Sequence, residues 1–134
     1  MTTSQAQAGI WGPMSATDDV LTEVAAERLR QDARWGEQNH PDGTSRSLAI
    51  EIISALPESN GFAHTLPSER ARRLNQEAIQ AGRLTWALIL LEEVLEALEE
   101  RDVERLREEL IQVAAVCVSW VECISRREGA RNGR

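Results

Sequence analysis

Apolar positions recur at intervals of three and four over most of the chain, which is the period of an amphipathic helix. Residues 1–16 stand outside this pattern: they are small and polar, broken by Gly and Pro, and are expected to form a flexible arm. Thr17 then reads as an N-cap, Asp18 and Asp19 suit the positive end of a helix dipole, and Val20, Leu21, Val24 and Leu29 follow at helical spacing. This helix should end near Trp35 and Gly36. From Gly36 to Thr44 the run GEQNHPDGT gathers turn-forming residues and is too polar for a core.

Residues 45–56 fit a short helix carrying Leu48, Ile52 and Leu56, with irregular chain from Pro57 to Pro67. Ser68 is placed to cap the next helix and Gly82 to end it. A further helix is expected from Thr85 to Glu100 on the stripe Leu88, Leu91, Leu95 and Leu98, and Asp102 should cap the longest, from Val103 to about Arg127. Within that last segment, Leu110 to Val121 carries no charge, and its valines suit a strand as well as a helix. A stretch this long without a turn signal exceeds an ordinary strand, whereas a helix surrounded by helices can be apolar on every side. The fold class is therefore all-α: a helical bundle of one domain, residues 17–128, ending in a short tail at 129–134 and built around an antiparallel helical hairpin.

Composition narrows the function. The chain has 134 residues, 42% of them apolar, so it can bury one core without disulfides or structural metals. With 15 basic against 22 acidic residues, a net charge of −7 and no long basic run, nucleic-acid polymers are excluded as partners. Every basic residue apart from the two histidines is Arg, so a direct cationic contact to phosphate would have to be a guanidinium. No apolar run reaches membrane-spanning length and residues 1–13 lack the features of a signal peptide, so no membrane association is expected. Cys117 and Cys123 are too far apart on one helix to pair, and free thiols in a leaderless chain point to the cytoplasm.

The candidate chemistry lies at the hairpin. The connection around Arg101 and Asp102 is so short that the two helices it joins must run antiparallel. Glu93 and Glu96 share a face with Trp86 and Ile89, while Glu109 and Gln112 share one with Leu106, Val113, Val116 and Trp120. Carboxylates set into apolar stripes lose hydration and repel one another, so they call for a compensating cation. A hard divalent ion, Mg²⁺ or Mn²⁺, fits oxygen ligands best and points to phosphate chemistry. The competing reading is a solvated acidic face paired with Arg101, Arg105 and Arg107. A ferritin-like di-iron bundle is disfavoured, because neither His stands three residues after a Glu on a helix.

The stretches Leu91–Glu96 (LEEVLE) and Arg107–Gln112 (REELIQ) resemble the paired ExxE and ExxD helices of the MazG-like all-α nucleoside triphosphate pyrophosphohydrolases. Arg34–Gly43 (RWGEQNHPDG) and Thr85-Trp86 are similar to segments of a bacterial and phage branch of that group, so the resemblance covers about residues 20–127. It implies cleavage of a (d)NTP to (d)NMP and pyrophosphate, in nucleotide-pool control, with Mg²⁺ held by Glu93, Glu96 and Glu109. Glu92 would orient or deprotonate the attacking water. The chain departs from the family at Gln112, where Asp is expected: a Gln carbonyl can still coordinate a cation but brings no charge. That departure keeps an alternative open, a non-catalytic helical binding or oligomerisation module with a degenerate metal site.

Trp35, Gln38, Asn39 and His40 are candidates to stack on and hydrogen-bond a nucleobase, since a polar loop beside an aromatic is a common place for ligand residues. Arg83 is a candidate triphosphate contact, as are Arg72 and Arg73. Trp86 borders the same region, although core packing is the expected role of both Trp86 and Trp120. A hairpin this apolar, with few helices to cover it, is expected to bury surface against a second copy in a homodimer or larger homo-oligomer.

Overall fold

The computed structural model describes residues 15–55 and 67–133, and among them every regular element is a helix. These are α1 (Ala16–Trp35), α2 (Arg46–Ala55), α3 (Pro67–Gln80), α4 (Trp86–Glu99) and α5 (Val103–Asn132). The expected arm over residues 1–14, Leu56 and the irregular segment up to residue 66 lie outside the described residues. No helix among the described residues is long and apolar enough to cross a membrane.

The helix ends follow local hydrogen-bonding rules, with three corrections to the sequence reading. Ser15, and not Thr17, caps α1: its hydroxyl accepts from the Asp18 N–H at 3.1 Å, and the Asp18 carboxylate accepts from the Ser15 N–H at 3.0 Å. This reciprocal box needs an acid three residues after the cap, and from Thr17 that position would fall on Val20. Ser68 is likewise not a cap. It sits in the first turn of α3 behind Pro67, buried, with its N–H 2.9 Å from a carboxylate oxygen of Glu99 on α4 and its hydroxyl on the other. Gly36, Thr85 and Asp102 end or begin helices as expected. The last helix runs five residues beyond Arg127, through much of the stretch read as a tail.

The helices α4 and α5 are the centre of the bundle; α3 packs on α4, and α1 packs on α5. Two helices in contact and joined only by Glu100–Asp102 must lie antiparallel. The core is small and aromatic: Trp86, Val116 and Cys123 are buried, with Ile89, Leu90 and Trp120 packed against them. Trp86 is 1% exposed and its ring stacks on Trp120 at 6.4 Å, so the core role expected of both is met. Both cysteines are free.

The apolar stripe assigned to α1 does not face the bundle. Val24 is buried, but Leu21 and Leu29 are exposed, and the residues that join Val24 on the inner face are Glu27, Arg28 and Gln31. Their burial is offset by specific partners. Arg28 donates to Glu122 of α5 at 3.1 and 3.2 Å and to Asp32 at 2.8 Å, while Glu27 is paired with Arg30 at 2.7 Å. Buried charges persist where such hydrogen bonds replace water. Arg107, read as a possible partner of the hairpin acids, instead grips Glu23 across the α1–α5 interface. The Leu stripe of α4 fares no better at its far end, where Leu98 is exposed.

Candidate functional site

Two clefts meet on one side of the bundle. The first, about 600 Å³, lies between α1 and the hairpin and is bordered by Glu93, Glu96, Glu109 and Gln112 facing Glu27, Arg30, Gln31, Arg34 and Trp35. One carboxylate oxygen each from Glu93, Glu96 and Glu109 falls within 4.8 Å of the others. The i, i+3 spacing puts the first two on one face of α4, and the antiparallel register of α5 sets the third opposite them. The convergence expected from the sequence is thus present in the structure.

The electrostatics of this group are unbalanced. Glu93 is pushed up to about 7, first by burial and then by Glu96, Glu109, Glu92 and Glu27. Glu109 is raised by burial and by Glu96, Glu100 and Glu108. Arg72, reaching over from α3, lies 2.8 Å from Glu96 and 3.4 Å from Glu92. It leaves Glu93 and Glu109 without an ion pair among the described residues. Three oxygens this close, two of them on desolvated and unpaired carboxylates, match the donor set of a hard divalent cation. The Gln112 side-chain oxygen borders the cleft but accepts from the Gln31 amide at 3.4 Å.

The second cleft, about 420 Å³, adjoins the first and shares Gln31, Trp35, Glu93 and Gln112 with it. Its further walls are largely apolar: Trp86, Ile89 and Leu84 around α4, Val116 on α5 and Ile79 on α3. The loop after α1 closes one side with Gln38 and His40. His40 packs edge-on against Trp86 at 5.0 Å and bonds Gln38 through Nε2 at 3.2 Å, and its burial lowers its pKa, which favours the neutral ring. Glu92 also borders this cleft, held by Asn75 Nδ2 at 3.3 Å and by Arg72. Its pKa is raised by burial and Glu96, against the pull of Arg72.

The loop is fixed by contacts the sequence did not reveal. The Pro41 and Asp42 carbonyls accept from the Trp86 and Ala87 N–H groups, both at 3.0 Å, and so close the first turn of α4. The Asp42 carboxylate accepts from Trp120 Nε1 at 2.8 Å and pairs with Arg127 at 3.0 Å. Gly43 follows with φ +73°, and a Cβ there would lie 2.5 Å from the Thr85 side chain. These residues, read only as a turn, therefore position His40 and Gln38 in the cleft.

Of the candidate substrate contacts, Trp35, Gln38, His40 and Trp86 come together at the second cleft. Asn39 does not: its side-chain oxygen accepts from Arg126 at 3.2 Å and lies 3.7 Å from the Cys123 sulfur, behind the loop. Arg83 is exposed between α3 and α4 and borders neither cleft. Besides Arg72, which is held by Glu92 and Glu96, the guanidiniums bordering the acidic cleft are Arg30, tied to Glu27, and Arg34, which lies over the Trp35 ring at 4.6 Å with no carboxylate partner among the described residues. In the sequence Arg34 is marked by its position next to Trp35, at the start of the segment RWGEQNHPDG. Compared with known proteins, the chain matches no family model, no curated protein and no solved structure.

Proposed function

We propose that the two clefts form one nucleotide site and that the protein is a Mg²⁺-dependent pyrophosphohydrolase, releasing pyrophosphate and a monophosphate from a nucleoside triphosphate. The observation that carries this reading is the convergence of Glu93, Glu96 and Glu109 beside a tryptophan-lined cleft. Acids alone accompany many surfaces, and an apolar cleft alone takes many ligands. A charged, metal-linked phosphate chain joined to a flat ring is the ligand class that uses both. The resemblance of LEEVLE and REELIQ to the MazG-like helices points the same way.

In this reading the three carboxylates hold Mg²⁺, or Mn²⁺, which supplies a template and a Lewis acid for the phosphates. Arg34, without a carboxylate partner among the described residues and bordering the acidic cleft, contacts a phosphate oxygen. Trp35 is 54% exposed and offers a ring face to the base. Glu92 orients the attacking water and accepts its proton: burial makes it a stronger base, and Arg72 favours its ionised form. Gln31 and Gln112 line the boundary between the clefts as neutral hydrogen-bonding groups. The bundle is completed by a second copy, for which the exposed apolar residues Leu29, Leu110 and Val121 offer surface.

The reading of the acids as a solvated, protein-neutralised face has one observation in its favour, the Arg72 bridge to Glu92 and Glu96. It leaves Glu93 and Glu109 unexplained. The two readings separate in an assay of a (d)NTP panel with and without Mg²⁺. Pyrophosphate release that depends on Mg²⁺ is expected; no release from any nucleotide, with no Mg²⁺ effect on Tm, refutes the enzyme.

A further inference from the structure

Two side chains bordering the apolar cleft keep a buried polar atom without a hydrogen-bond partner among the described residues: Asn75 Oδ1 and Trp86 Nε1. Asn75 is 6% exposed and sits mid-helix on α3. Its Nδ2 donates to the Leu88 carbonyl at 3.1 Å and to Glu92 Oε2 at 3.3 Å. Both are acceptors, so the amide has one sensible orientation and the open atom is necessarily the oxygen. Buried acceptors without a donor are destabilising, and a ligand that brings the donor recovers that loss.

We infer that Asn75 selects a base with an exocyclic amino group, adenine or cytosine in preference to hypoxanthine or uracil; this rests on the nucleotide reading above. Asn75 and Ile79 put α3 on the wall of the apolar cleft, and neither borders the acidic one. A base whose sugar and phosphates lie toward the acids presents the opposite side of its ring to that wall. In a pyrimidine the atom opposite the glycosidic nitrogen is C4, and in a purine the C6 substituent is also remote from the sugar. Cytosine and adenine carry N–H donors there, which Asn75 Oδ1 accepts. Uracil and hypoxanthine carry a carbonyl, whose lone pairs meet those of the Asn75 oxygen. Trp86 Nε1–H does not discriminate, because every base has a ring or carbonyl acceptor. The cleft is open at Trp35 and Ile79, both more than half exposed, while Asn75 Oδ1 itself is covered, so a base reaches it by displacing neighbouring side chains.

Matched pairs that differ at this position test the inference. Tryptophan fluorescence titrations without divalent ion compare AMP with IMP and CMP with UMP, and pyrophosphate release with Mg²⁺ compares ATP with ITP and CTP with UTP. The amino member of each pair is expected to bind and react about tenfold better, the scale of one unmatched buried hydrogen bond. Asn75→Leu should bring the ratio close to one. Equal binding within both pairs in the native protein overturns the inference and leaves the enzyme reading intact, as does a preference unchanged in folded Asn75→Leu. Should that variant not fold, the native ratios decide alone. No binding and no turnover of any nucleotide overturns both.

Discussion

The acidic and the apolar clefts share four residues and yet are incomplete in different ways. The acidic cleft lacks partners for two of its carboxylates: Glu93 and Glu109 have no ion pair among the described residues, and Glu93 is pushed up to about 7. The apolar cleft lacks hydrogen-bond partners: a carboxamide oxygen and an indole N–H are buried in its walls without them. Elsewhere in the bundle the same kinds of group are satisfied within the protein, as Arg28 is by Glu122, Asp32 and Gln31. Among the described residues this incompleteness gathers at two adjoining clefts, as a ligand site requires, because groups already matched internally have nothing left to offer. The difference between the clefts also predicts that they respond to different perturbations.

The largest effect is expected at the acids. Glu93→Gln and Glu109→Gln each remove a charge from the proposed cation site, and each should lower kcat/KM by about a thousandfold, the scale of losing a principal electrostatic contact in a transition state. The same changes remove repulsion, so in metal-free buffer Tm should rise and Mg²⁺ should no longer shift it. Base binding measured with AMP should be nearly unchanged. If AMP binding fell as far as turnover, the clefts would not be separable in the way drawn here.

A smaller effect is expected from the other side. Gly43→Ala places a Cβ 2.5 Å from Thr85 at a backbone angle that L-residues rarely adopt. The loop must shift, carrying His40 and Gln38 away from the apolar cleft. AMP affinity should fall by about tenfold and Tm by several degrees, consistent with strain of roughly 1–3 kcal/mol. Mg²⁺ binding to the nucleotide-free protein should be retained, since Glu93, Glu96 and Glu109 lie on α4 and α5 and not on the loop. Loss of both would show that the loop supports the hairpin acids as well.

The acidic cleft was the more legible of the two in the sequence, for a geometric reason. A short connection forces an antiparallel hairpin, and i, i+3 spacing then fixes which acids face one another. The apolar cleft depends on α3 and on the loop, whose contacts are set by tertiary packing. Asn75 did leave a trace: Ala71 and Ala78, four residues before it and three after it, are buried on the same face, and a polar residue within a small-residue stripe marks a buried polar contact. The inward face of α1 was misassigned for a related reason. Hydrophobicity placed Leu21 and Leu29 inside, but Val24, Glu27, Arg28 and Gln31 also fall at helical spacing, and Glu122 and Gln112 on α5 are the partners that make the polar stripe the inner one. No pattern within α1 alone contains that information. Asn39 illustrates the reverse case, a loop residue of suitable chemistry that is committed to Arg126.

The smallest predicted effect tests the charge imbalance without mutation. Glu93 has a folded-state pKa of about 7 against an ordinary 4.5, so between those values the folded protein holds a proton that the unfolded chain has released. More protons bound in the folded state means that stability falls as pH rises through this window, and the penalty is complete above about 7. Glu109 and Glu92, both raised, add to this in the same direction, while His40, lowered by burial, works against it below its ordinary 6.5. The carboxylates of Asp18, Glu23 and Asp42, held by hydrogen bonds, are lowered instead, and their contributions are lost only at more acidic pH. Metal-free protein should therefore melt a few degrees higher at pH 5.5 than at pH 8, about 1 kcal/mol once solvent screening is allowed for. Mg²⁺ should raise Tm at pH 8 and have little effect at pH 5.5, where protons already neutralise the cluster. In Glu93→Gln most of the pH difference should vanish, while in Gly43→Ala it should persist at a lower Tm. A pH difference that survives in Glu93→Gln would move the imbalance away from the acidic cleft and remove the reason for placing a cation there.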